Sequence, residues 1–327
     1  MDKYATKGLE PAPSISMTTI PMAGLLVDVY GLDEAAPSSS TPLTCLWLLH
    51  PRTRTRARMA DIARRTVHAW HQHATASRAR GLIALAFDMP NHGSRLVSEA
   101  ANQAWDKGND KHAIDMAAII QGGATDVSAL MGLVAGYLGR EVDAHVCLGW
   151  SLGGHAAWWT WFGHDRVDAA VAVVACPDYA GQSFGVLFSP FLTSRSSLSP
   201  FPIPSVLISC MAIFHLSKRL SDLLRTLRAH DPKSILFGDA PLPPPAALAE
   251  GAEQTRVRGI LDSRIRGKRL LVCSGADDRL VPDAGVVLED RVYEGVGHSF
   301  SKDMVQDAVA FLVNAVAEGP RRSRAKI

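Results

Sequence analysis

Cysteine is scarce and unpatterned in this sequence: five residues in 327 (Cys45, Cys147, Cys176, Cys210 and Cys273), an odd number with no C-x-x-C spacing. That excludes a disulfide-stapled module. Cys45, Cys147, Cys176 and Cys273 sit in apolar runs and read as reduced core residues of an intracellular protein. An excess of charge is missing too. Thirty-four Lys+Arg against 32 Asp+Glu leave +2, too little to imply nucleic acid as the main partner. No uninterrupted apolar run approaches the ~18 residues of a membrane span. Met1 to Ile20 holds no apolar stretch of signal-peptide length, so the expectation is a chain neither membrane-spanning nor secreted by the standard route. Also missing are an internal repeat, a Walker A sequence and a dinucleotide-type G-x-G-x-x-G. What is present is ordinary globular composition, 47% apolar and 20% charged, long enough for one large domain or two small ones.

Short apolar runs alternate with longer helical patterns, the signature of βαβ units and a mainly parallel sheet. The spacing predicts strands over Leu43 to His50, Leu82 to Phe87, Ala144 to Gly149, Ala169 to Cys176, Arg269 to Ser274 and Arg291 to Tyr293. Helices are predicted over Met59 to Thr75, Ile114 to Leu138, Leu152 to Phe162, Pro282 to Glu289 and Lys302 to Val316. An antiparallel hairpin or edge strand is predicted within Met17 to Tyr30. Residues 177–266 break this rhythm and carry six of the ten phenylalanines. An aromatic insertion between two strands reads as a helical lid over a pocket, or as a second packing layer. The resulting division is a core of 1–176 and 267–319, a lid of 177–266 and a basic tail of 320–327.

Gly149-Trp150-Ser151-Leu152-Gly153-Gly154 lies directly between a predicted strand and a predicted helix. In that setting G-x-S-x-G is a nucleophile elbow, a strained turn that exposes a serine hydroxyl above the sheet. Such a serine needs a base and the base an orienting acid. Both follow in order. Gly275-Ala276-Asp277-Asp278-Arg279-Leu280-Val281-Pro282 puts two acids after a strand, and Gly295-Val296-Gly297-His298 puts a histidine in a loop before the final helix.

On these residues the chain resembles an α/β-hydrolase from the strand ending at His50 to the last helix. The resemblance implies a mainly parallel sheet flanked by helices, with the lid inserted after the sixth strand. It implies Ser151 as nucleophile, His298 as base, and Asp278 as acid through the pattern G-x-x-D-x-x-V-P, with Asp277 the alternative. Asn91-His92-Gly93-Ser94-Arg95, Ala101 to Trp105 and Ser151 to Trp158 are similar to a fungal branch of that superfamily. That similarity suggests a specialised, polyketide- or toxin-type metabolite as substrate. The expected activity is cleavage of an ester or thioester with an apolar acyl part, carboxylesterase- or thioesterase-like, with no cofactor. Alternatives are acyl transfer, cyclisation or retro-aldol cleavage by the same triad, or a catalytically inactive ligand-binding protein.

Where the family usually has His-Gly after its third strand, this chain has His50-Pro51-Arg52. Proline has no N–H to donate, so the expected oxyanion donors are the backbone N–H groups of Leu152 and Arg52, with Thr53 as the alternative. Arg52, Arg54, Arg56 and Arg58 alternate along this loop and read either as a rim for an anionic substrate group or as a solvated segment. His92 is a candidate substrate contact or a loop hydrogen-bonding residue, and Trp150 a candidate substrate contact. His68, His71 and His73 lack the carboxylate or cysteine needed for a metal site. Trp158, Trp159 and Trp161 read as core. Ala325-Lys326-Ile327, after a basic stretch, resembles a Ser-Lys-Leu-type address for a peroxisomal import receptor, or is a frayed tail, so the expected location is peroxisomal or cytoplasmic.

Overall fold

The computed structural model describes residues 6, 8–35, 41–73, 79–179, 223–238, 251–276 and 289–320. Outside them lie most of the expected lid, Asp277 and Asp278, the helix expected from Pro282 apart from its last residue, Cys210, and the Ala325-Lys326-Ile327 tail.

In chain order the elements are β1 (Met17–Met22), β2 (Leu25–Tyr30), β3 (Leu43–Leu49), α1 (Ala60–Gln72), β4 (Gly81–Phe87), α2 (His112–Leu138), β5 (Val142–Trp150), α3 (Leu152–Gly163) and β6 (Val167–Val173). They continue with α4 (Pro232–Phe237), α5 (Ala252–Arg264), β7 (Arg269–Gly275), β8 (Glu289–Tyr293) and α6 (Lys302–Glu318). The strands form one eight-stranded sheet in the order β1-β2-β4-β3-β5-β6-β7-β8. β1 and β2 are a hairpin, β2 pairs antiparallel with β4, and every later pairing is parallel. This is the α/β-hydrolase fold, with an insertion between β6 and β7.

The strands form where the apolar runs predict them because both faces of the sheet are covered. β3 and β4 are buried at every residue, as strands between two helical layers must be. Alternate side chains serve opposite cores. Cys45, Trp47 and Leu49 pack with α2 and α3, while Leu46 and Leu48 pack with α1 and α6. The hairpin turns at Ala23 and Gly24, both at positive φ (50° and 81°), which matches the twist of the flanking strands. Among the described residues one helix, α2, is long and apolar enough to cross a membrane. It packs against α3 and buries Met116, Ile120, Val127, Leu130 and Val134 in the core. The four described cysteines are buried and unbridged, and burial pushes their thiols up, to about 12 for Cys176 and Cys273.

Two expectations need adjusting at their ends. The sixth strand stops at Val173, where Val174 takes φ 46° and its N–H turns to the Cys273 carbonyl (2.8 Å). The residues expected to close a helix at Glu289 instead open β8 there. Within the insertion the described pieces are helical: residues 223–230, α4 and α5.

Register decides where a site can form. Leu49 of β3 is level with Gly149 of β5, and Trp150 of β5 with Val173 of β6. The loops leaving these strands therefore open at one end of the sheet, the carboxyl end where open α/β sheets hold ligands.

Candidate active site

Ser151 occupies the turn between β5 and α3 at φ 54°, ψ −116°, a backbone conformation sparsely used by residues other than glycine. Its N–H donates to the Val173 carbonyl (2.8 Å), pinning the turn to β6. The flanking glycines are required sterically. A Cβ on Gly149 would lie 2.0 Å from the Gly153 carbonyl oxygen, one on Gly153 would lie 2.1 Å from that of Leu49, and one on Gly154 would meet Ala175 Cβ at 2.5 Å. The helix can start this close to the sheet only without those atoms.

His298 arrives from the other end of the chain. The loop carrying it crosses the end of β7, where a Cβ on Gly275 would lie 2.2 Å from the Val296 carbonyl oxygen. Ser151 Oγ and His298 Nε2 are 2.7 Å apart, hydrogen-bond distance, with the hydroxyl as donor whenever Nε2 is unprotonated. The two residues expected as nucleophile and base are thus brought together across 147 positions of sequence. Asp277 and Asp278 follow the last described residue of the β7 turn, Ala276, whose N–H is held by the Tyr293 carbonyl (3.0 Å).

Ser151 and His298 open into a cavity of about 720 Å³. Its walls come from the loop after β3 (Pro51, Arg52, Thr53, Arg54 and Arg58), the segment Ala104 to Asp106, the start of α2 (His112 and Met116), the elbow (Trp150, Leu152 and His155) and Tyr179. Leu152 is the first residue of α3, where backbone N–H groups have no partner within the helix. Along the β3 loop, Pro51 has no N–H, Thr53 N–H donates to His92 Nε2 (3.0 Å) and Arg54 N–H to the Pro51 carbonyl (3.3 Å). Arg52 N–H is left as that loop's candidate donor, and the Thr53 alternative is used up.

His92 is buried and does not line the cavity. Its Nδ1–H donates to the Pro90 carbonyl (2.9 Å) while Nε2 accepts from Thr53, the loop hydrogen bonds that were one of its two expected roles. Burial lowers its pKa, outweighing the Pro90 bond and nearby Asp88. His50 does the same work one layer deeper, donating from Nδ1 to the Pro51 carbonyl (2.9 Å) and accepting from Met89 N–H (3.0 Å). Burial drops its pKa to about 4. The two neutral rings meet edge to face at 5.1 Å.

The four alternating arginines divide. Arg56 turns away from the cavity and pairs with Asp88 (2.5 Å) and Asp28 (3.0 Å). Burial raises the pKa of Asp88, but bonds from Arg56 N–H, Ser94 N–H and Ser94 Oγ, together with the Arg56 charge, outweigh it and hold the carboxyl below the usual range. Arg52, Arg54 and Arg58 face the cavity. Arg58 lies 4.4 Å over the Trp150 ring, whose edge also meets Phe300 at 5.7 Å. Trp158, Trp159 and Trp161 are core residues, and the described residues hold no cluster suited to a metal ion. Sequence reasoning gave Trp105, Asp106, His112, Met116 and Tyr179 no place in the site. They lie on segments brought over the elbow by tertiary packing, and apart from Trp105, which ends the Ala101 to Trp105 run, no motif marks them.

No family model matches the chain and no curated protein does. Solved structures similar to it include a protein of Thermus thermophilus (16% identity, 93% of this chain and 99% of that one, TM-score 0.48). Others are a hyperthermophilic esterase from the archaeon Pyrobaculum calidifontis (17%, 94% and 87%, 0.45) and an acetyl xylan esterase from a Thermoanaerobacterium species (13%, 95% and 90%, 0.48). Likenesses this distant carry no argument about activity and do not bear on a fungal branch. The assignment to the α/β-hydrolase fold rests on strand order, pairing direction and the elbow between β5 and α3.

Proposed function

We propose that the protein is a serine hydrolase acting on an ester or thioester with an apolar acyl part. The observation that carries this reading is the strained Ser151 with its Oγ 2.7 Å from His298 Nε2 at the mouth of a cavity. A serine hydroxyl at that distance from an imidazole can pass its proton to Nε2 as Oγ attacks a carbonyl carbon. The negative oxygen of the tetrahedral intermediate is received by the Leu152 and Arg52 N–H groups, each such donor being worth about 10²- to 10³-fold in rate. Collapse breaks the bond to the alcohol or thiol, which takes the proton from His298 and leaves an acyl-Ser151. Water then gives a proton to His298, attacks the acyl carbon and releases the acid, and the proton returns to Ser151. Asp278 is the proposed acid that fixes the imidazole tautomer. The apolar wall from Trp105, Met116, Trp150, Leu152 and Tyr179 suits an apolar acyl chain.

Labelling with a fluorophosphonate tests the reading. Modification at Ser151 in the wild type, and a fall in aryl-ester turnover of about 10⁴- to 10⁶-fold in Ser151→Ala, are expected. Folded protein that is neither labelled nor active on any ester overturns it. Asp278→Asn should cost on the order of 10⁴-fold by favouring the wrong tautomer. A comparable loss in Asp277→Asn instead would move the acid by one residue.

A further inference from the structure

The cavity wall contains a cation that the hydrolytic cycle does not use. Arg52 supplies its backbone N–H to the proposed oxyanion site, yet its guanidinium is also built into the wall. Nη1 donates to the Asn102 carbonyl (3.1 Å). That carbonyl is fixed by reciprocal amide bonds, Asn91 Nδ2 to Asn102 Oδ1 (2.9 Å) and Asn102 Nδ2 to the Asn91 carbonyl (2.7 Å). The guanidinium is therefore held rather than swinging in solvent, and its Nε and Nη2 edge meets no carboxylate within ion-pair distance among the described residues. Burial disfavours its charge, and Asp106 and Tyr179 offset that only in part.

Arg54 lines the same cavity, and among the described residues of its wall Asp106 is the carboxylate. Arg54 is tethered through Nη1 to the Thr53 carbonyl and Oγ1 (3.1 Å each). His112 donates from Nδ1 to the Gln103 carbonyl (2.7 Å), which leaves Nε2 as its remaining ring nitrogen. Arg56 shows what this loop does with an arginine meant for structure, since it is closed off by two aspartates. A held guanidinium with one planar edge unmatched by any described carboxylate is complementary to a carboxylate taken side-on.

We infer that the ester or thioester substrate carries a carboxylate, bound by the guanidinium edge of Arg52 with Arg54 beside it, while its acyl carbonyl lies at Ser151. This rests on the hydrolase reading and narrows its substrate class to anionic esters. One residue then serves two ends of the substrate, its side chain holding the anion and its N–H the oxyanion.

The test is protection of Ser151 from a fluorophosphonate by 4-hydroxybenzoate, with 4-hydroxybenzamide as the matched neutral compound, in wild type, Arg52→Met and Arg52→Lys. Beside it, the kcat/KM ratio of 4-acetoxybenzoate to its methyl ester is measured in the same proteins. That ratio cancels any change in the chemical step common to both esters. The carboxylate should protect the wild type and the amide should not. The ester ratio should favour the anion by about 10- to 100-fold, the range of a charge-assisted bond. Arg52→Met should bring both differences close to unity, and Arg52→Lys should keep part of them. Labelling of Ser151 that carboxylate and amide affect equally, or an anion preference unchanged in Arg52→Met, overturns the inference and leaves the hydrolase reading standing. Absence of any labelling or turnover overturns both.

Discussion

The two turns that flank the cavity leave the same end of the sheet, but they are held by opposite means. After β5, the elbow is shaped by sterics within a few residues, with Gly149 against Gly153, Gly153 against Leu49 and Gly154 against Ala175. After β3, the loop has no glycine and is held by side chains from distant segments: His92 on Thr53, Asp88 on Arg56, and Asp28 on Arg56. The first device positions one atom by leaving nowhere else to go. The second positions a stretch of wall by matching charges and donors. A turn of the first kind fails all at once, whereas one of the second kind loosens contact by contact.

Gly153→Ala is the severest way to break this contrast. The added Cβ would sit 2.1 Å from Leu49 O and 2.5 Å from Leu49 C, backbone atoms of a central strand, so neither helix nor strand can yield. More than about 4 kcal/mol of stability should be lost, seen as absence of folded protein or a collapsed denaturation midpoint. Gly163→Ala at the far end of α3, with nothing within 4 Å, should change stability by less than about 1 kcal/mol. Folded Gly153→Ala of normal stability would show that the elbow is not sterically set.

Next in size is removal of the cation from the β3 brace. Arg56→Met leaves the Asp88 and Asp28 carboxylates facing each other's surroundings without their shared partner. Breaking such a pair costs about 3 to 5 kcal/mol when fully buried, and the lower figure is expected because Arg56 remains partly exposed (21% of its side chain). Arg54→Met, two residues away and exposed, should stay within about 0.5 kcal/mol. Urea midpoints for the two variants check the difference. Equal midpoints would mean that the loop is not held by its ion pairs.

The same contrast explains what could be read from the sequence. Short continuous apolar runs placed β3, β4, β5 and β7 to within about two residues, because strands buried on both faces leave little choice of composition. G-x-S-x-G between strand and helix was legible because its constraint is local, and Ser151 and His298 do meet. The role of Asp88 was not legible. It depends on Arg56 being 32 positions away and on Gly93, where a Cβ would lie 2.3 Å from the Asp88 carboxyl carbon. His92 was ambiguous for the same reason, since a histidine beside a site and one bracing it have identical local sequence. The alternation of Arg52 to Arg58 looked uniform, and only the fold separates Arg56 from the others.

A second buried aspartate sharpens the comparison through pH. Asp231 caps α4, accepting from Ser234 N–H (3.2 Å) and Oγ (3.0 Å) and from Tyr179 N–H (2.9 Å). It ties the described part of the insertion to the cavity wall. No cation pairs with it among the described residues, and burial pushes its pKa up to about 6 from 3.8, the bonds from Tyr179 and Ser234 offsetting this in part. A carboxyl whose folded pKa lies above its unfolded one binds its proton more tightly when folded. Its stabilisation is present below about pH 4 and lost as pH rises toward 6, by at most about 3 kcal/mol. Asp88, held below the usual range, has the opposite sign: its stabilisation is present above the ordinary carboxylate pKa and lost as pH falls. Denaturation midpoints followed from about pH 2.5 to 6.5 should therefore separate the two, Asp88 acting below about pH 4 and Asp231 between about pH 4 and 6. Asp231→Asn should remove a loss of stability with rising pH, and Asp88→Asn a gain. Parallel pH profiles in the two variants would mean that pairing with Arg56 is not what distinguishes these carboxyls.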